Sequence, residues 1–81
     1  MKVTKVDIYA VKHNTLKANA TITFDDCFVV KGLKVVKGKK GLFVTMPSYE
    51  YNGEWKDLCF PLSKEFRTEI SNAVLDAYDN R

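Results

Sequence analysis

Leu16-Lys17-Ala18-Asn19-Ala20-Thr21-Ile22-Thr23-Phe24 decides the fold class. Apolar and polar residues alternate along it without a break. Successive side chains of an extended chain point to opposite faces, so Leu16, Ala18, Ala20, Ile22 and Phe24 gather on one side. That is the signature of a half-buried antiparallel strand.

The flanking segments extend the pattern. Residues 3–11 are rich in β-formers and predict a first strand, joined to the second by a turn at His13-Asn14-Thr15. Asp25-Asp26 predicts the next turn. A third strand is expected over residues 28–36, but its apolar parity flips at Gly32, from Phe28 and Val30 to Leu33 and Val35. One inserted residue there, a β-bulge, restores a common core face. Lys37-Gly38-Lys39-Lys40-Gly41 reads as a hairpin turn and residues 42–46 as a fourth strand. Residues 47–54 read as a loop with a tight turn at Asn52-Gly53. Residues 55–60 predict a short fifth strand that Pro61 ends, because proline cannot donate to the ladder.

Ser63 is a natural N-cap. After it Phe66, Ile70, Ala73, Val74, Ala77 and Tyr78 form one apolar stripe at helical spacing, over a helix of residues 63–79. The class is therefore α+β: an antiparallel sheet of about five strands within residues 3–60, then one C-terminal amphipathic helix, in a single domain of residues 1–81. One helix covers only part of such a sheet. A chain of this size buries about 60–65% of its unfolded surface, which leaves a marginal core. A homodimer through the sheet is the expected remedy.

Composition excludes several classes. Hydrophobic residues make up 46% of the chain and charged ones 28%, which argues against disorder. No apolar run approaches the ~18 residues of a membrane span. Met1-Lys2-Val3-Thr4-Lys5 lacks the apolar region of a signal peptide, so a cytoplasmic location is expected. Cys27 and Cys59 sit in Asp-Cys-Phe and Leu-Cys-Phe and are expected as buried thiols. Two cysteines and one histidine do not make a zinc site. His13 lies in a turn with no marked nucleophile or orienting acid, so no catalytic residues are expected. Asp25 and Asp26, adjacent in the chain, suit a turn better than a metal.

Charge is unevenly spread. The net value is +3, but residues 1–40 hold nine lysines against Asp7, Asp25 and Asp26. Residues 41–81 hold Lys56, Lys64, Arg67 and Arg81 against seven acids. A basic half suggests a surface facing a polyanion. Lys31, Lys34, Lys37, Lys39 and Lys40 fall within ten residues that contain no acid. Such a hairpin can follow a phosphate backbone, or it can simply block sheet-edge aggregation. Lys56 and Arg67 are further candidates for phosphate contact, Arg67 equally for ordinary surface pairing. Tyr49 and Tyr51 are candidates for base stacking or for packing on the sheet edge. Trp55, beside the same loop, could stack in the same way but is expected in the core.

These segments, in this order, resemble the stage V sporulation protein G (SpoVG, septation regulator) family. The strongest likeness is Gly41-Leu42-Phe43-Val44-Thr45-Met46-Pro47-Ser48, followed by Gly53-Glu54-Trp55-Lys56-Asp57 and Pro61. Met1-Lys2-Val3-Thr4-Lys5-Val6, Ala20-Thr21-Ile22-Thr23-Phe24-Asp25, Phe28-Val29-Val30 and Lys34-Val35-Val36 support it, as do Arg67, Ile70 and Ala73-Val74-Leu75 through Tyr78. The resemblance implies a cytoplasmic bacterial homodimer that binds DNA and RNA and influences gene expression in septation, sporulation or virulence. It implies no enzyme activity, cofactor or small-molecule substrate. The chain also departs from the family. Tyr49 and Glu50 replace a usual Lys-Arg pair, and Glu69 stands where a basic residue is frequent. The turn before Gly41, often Asp-Gly-Asn-Asn in relatives, is here Lys37-Gly38-Lys39-Lys40. Any nucleic-acid contact is therefore expected to shift toward the lysine hairpin. The alternative function is a protein–protein adaptor that docks an acidic partner through its sheet edge or this hairpin.

Overall fold

The computed structural model describes residues 1–81. Six strands precede one helix: β1 (Val3–Ala10), β2 (Leu16–Phe24), β3 (Phe28–Gly38), β4 (Gly41–Thr45), β5 (Ser48–Tyr51), β6 (Glu54–Asp57) and α1 (Lys64–Asp79). The first four form an antiparallel meander in the order β1-β2-β3-β4, and β5 and β6 form a separate two-stranded ribbon. The α+β class holds. The single sheet of about five strands does not: the expected loop at 47–54 contains β5, and the expected strand at 55–60 ends at Asp57.

Alternation in β2 works as its sequence dictates. Ala18, Ala20, Ile22 and Phe24 are all buried. Leu33 and Val35 of β3 lie on the same face, because Ala20 pairs with Leu33 and Thr21 with Lys31, leaving Gly32 as the extra residue. Gly32 has φ +96°, a conformation that L side chains resist. The bulge thus restores the phase of β3. A second irregularity, at Lys17, takes Leu16 out of the strict alternation.

The turns follow their residues. Asp25 and Asp26 adopt φ 52° and 56°, and the Cys27 N–H donates to Phe24 O at 3.0 Å, a type I′ turn. The turn is latched to the start of β1. Lys2 N–H donates to Asp25 Oδ1 at 2.9 Å, and Asp26 N–H donates to Thr4 Oγ1 at 3.0 Å. Asn52-Gly53 makes a two-residue turn between β5 and β6, with φ 50° and 79°.

Helix α1 packs mainly over β1 and β4, burying Ile70 and Val74. Ser63 caps it, its hydroxyl accepting from Phe66 N–H at 3.1 Å. The Phe66 ring lies 5.8 Å from that of Phe24, tying the first turn of the helix to the end of β2. Val44 and Met46 complete the core.

Three burial expectations fail. Cys27 and Cys59 are both exposed. The first sits in a turn and the second in the irregular segment after β6, beyond the sheet-helix sandwich. Trp55 is 65% exposed, because the β5–β6 ribbon has no second layer over it. Around residues 58–63 an apolar groove of about 550 Å³ opens between β3 and the start of α1, lined by Phe28, Val30, Phe60, Leu62 and Phe66 among others.

Candidate nucleic-acid interface

Strand register sorts the lysines. Lys34 lies between buried Leu33 and Val35, so it projects from the face that α1 leaves bare. Lys31 pairs with Thr21 and Lys34 with Asn19, two positions apart on β2, so the bulge puts both lysines on that bare face. Lys37 falls on the opposite parity but remains exposed near the hairpin end. Lys39 and Lys40 form the turn itself, between Gly38 and Gly41. Neither lysine has positive φ; Gly41 takes that conformation at +118°. The five cations are therefore not one row. Two stand on the bare face and three cluster at the hairpin end.

The other candidates scatter. Lys56 is exposed and pairs across the ribbon with Tyr49. Arg67 is exposed on α1, on the far side of the sheet from Lys31 and Lys34. Tyr49 and Tyr51 are 42% and 59% exposed, and each lies opposite a charged partner, Lys56 and Glu54 respectively. His13 organises its turn: its Nδ1 accepts from the N–H groups of Thr15 and Leu16, both at 3.2 Å.

Two more aromatic residues join the site: Phe43, which residue patterns did not assign to it, and Trp55, whose stacking role the sequence ranks second to a place in the core. Trp55 lies beside Lys34, whose Nζ is 5.5 Å from the ring centroid, a cation–π geometry. Phe43, 47% exposed, belongs to the bare face because its neighbour Val44 is buried in the core. Its ring covers Gly38, where an added Cβ would come within 2.8 Å of Phe43 Cε1. Leu42-Phe43-Val44 is apolar throughout, so no alternation reveals which residue faces out. Only the pairing of Val44 with Val35 does.

The molecule is electrically two-sided. The polar face of α1 carries Glu65, Glu69, Asp76 and Asp79, all four exposed. On the bare face of the four-stranded sheet the one carboxylate is Asp7, and it lies 3.8 Å from Lys5. A polyanion would approach the sheet side and be repelled from the helix side.

A family model described as SpoVG matches residues 1–80. Among curated proteins the chain is similar to three named "Putative septation protein SpoVG". The one from Archaeoglobus fulgidus is 49% identical over 82 residues, covering 99% of this chain and 96% of that protein. The one from Bdellovibrio bacteriovorus is 45% identical over 80 residues, covering 98% and 74%. The one from Treponema denticola is 44% identical over 81 residues, covering 98% and 87%.

Proposed function

On the premise that this chain belongs to the SpoVG family, we propose that it is a homodimeric nucleic-acid-binding regulatory protein whose action bears on septation. The family is not an enzyme family by name, and no helix of the chain is long and apolar enough to cross a membrane. The observation that carries the reading is the separation of charge. Lys31 and Lys34 on the bare face, with Lys37, Lys39 and Lys40 at the hairpin end, stand away from the acidic helix. Binding is electrostatic, made through phosphates, and modest in sequence preference. The one helix is acidic on its polar face and unsuited to a groove. Through it the protein influences gene expression, in the cytoplasm.

Self-association draws support from exposed apolar residues. Phe28, Phe60 and Leu62 are 57%, 57% and 97% exposed around the groove. A second copy covering them would supplement a small core.

A salt titration tests the nucleic-acid reading. Affinity for DNA and RNA falls steeply with salt. Neutralising Lys37, Lys39 and Lys40 together lowers the slope by about 0.7–0.9 for each phosphate that these lysines hold. An unchanged slope removes the hairpin from the interface.

The apolar groove also favours a second reading, an adaptor for a protein partner. Polyanion excess separates the two: it displaces a phosphate ligand and leaves an apolar protein interface in place.

A further inference from the structure

A polar strip runs along the bare face of the four-stranded sheet. Its β2 positions are Asn19, Thr21 and Thr23, and its β3 positions include Lys31 and Lys34. Three aromatic rings stand beside this strip, one of them Tyr9, which pairs with Asn19 and is 58% exposed. Trp55 leans on Lys34, and Phe43 covers Gly38. Phe43 pairs with Val36, two residues along β3 from Lys34, a step of about 7 Å. Aromatic surface is thus interleaved with cation, and the only acid on this face of the sheet is already paired with Lys5.

We propose that this face binds single-stranded nucleic acid, with Trp55 and Phe43 stacking on unpaired bases while Lys34, beside Trp55, and Lys31, further along β3, hold the phosphates. The inference rests on the nucleic-acid reading above and deepens it by naming the state of the strand. Unpaired bases offer π-faces to an aromatic ring, whereas bases inside a duplex are stacked on one another. Lysine beside the ring supplies the phosphate partner and adds cation–π attraction. Asn19, Thr21 and Thr23 supply neutral donors and acceptors along the same path. Glu50, opposite Trp55 across the ribbon, repels phosphate and bounds the path on that side.

Trp55 is the only tryptophan of the chain, so its fluorescence reports on this site alone. An oligothymidylate of about 12 nucleotides, titrated at low salt, quenches the emission. Trp55→Ala and Phe43→Ala each weaken binding of the single strand by about 5- to 100-fold and leave duplex affinity unchanged. Trp55→Phe retains most of the affinity, because a ring remains, and so separates stacking from any folding defect. Salt-sensitive binding with unquenched emission, and with full affinity in Trp55→Ala, overturns the inference but leaves the nucleic-acid function standing. Absence of salt-sensitive binding to every strand form removes both. A blue shift of the emission with protein concentration alone means that a second copy covers Trp55, and this also overturns the inference.

Discussion

Gly32 shows how one residue sets the phase of a strand. The parity flip around it is visible in the sequence, since no single face of a regular strand holds both Val30 and Leu33. Its conformation at φ +96° and the approach of Pro47 Cβ, 3.4 Å from where a Cβ would stand, are visible only in the fold. Gly32→Ala is expected to destabilise the protein by about 1–2 kcal/mol, read from the denaturant midpoint. A midpoint equal to that of the unaltered chain would mean that the backbone escapes the strain. Ser63 is legible from its place before the apolar stripe. Ser63→Ala should cost about 1 kcal/mol, with faster amide exchange at Phe66, whose N–H loses its acceptor. The cysteines are not legible. Their apolar neighbours Phe28, Leu58 and Phe60 are themselves 57%, 66% and 57% exposed, so local composition points inward where the tertiary structure does not. Both thiols should therefore react with a thiol reagent in the native state, without denaturant.

Among the elements, the β5–β6 ribbon marks the limit of local reading. Ser48-Tyr49-Glu50-Tyr51 and Glu54-Trp55-Lys56-Asp57 flank Asn52-Gly53, a strong hairpin signal. Pro47 and the four-residue length of each strand make the first arm resemble a loop. Trp55 then looks like core, because an indole in a strand is normally packed against another layer. Here the second layer is absent, and Lys34 is the ring's charged neighbour. An isolated two-stranded ribbon is marginal in water. Gly53→Val, at φ +79°, should loosen the ribbon and shift Trp55 emission while leaving the global unfolding midpoint nearly unchanged. A matching fall in both would mean that the ribbon folds with the sheet as one unit. Glu50→Lys removes the repelling charge beside Trp55. It should tighten nucleic-acid binding and steepen the salt dependence by about 0.7–0.9, the increment for one more neutralised phosphate.

For the molecule as a whole, a sheet with one helix leaves two uncovered regions of different character. The bare face is polar and cationic; the groove beside residues 58–63 is apolar. Sequence periodicity could foresee that one helix is too little cover, but it could not tell these regions apart, because Phe28, Phe60 and Leu62 converge only through the hairpin and the chain reversal after β6. Sedimentation is expected to give twice the 9.3 kDa chain mass. Phe60→Asp with Leu62→Asp should return it to one, and only the parent's melting temperature should rise with concentration. A monomeric parent would leave the groove to another partner. The Asp25 latch has a practical corollary. It pins Lys2, so Met1 is delivered to the groove lip, whereas the 16-residue helix carries Arg81 about 24 Å from its own start. A purification tag fused ahead of Met1 would therefore crowd any molecule docking there, and a tag placed after Arg81 would leave the lip clear.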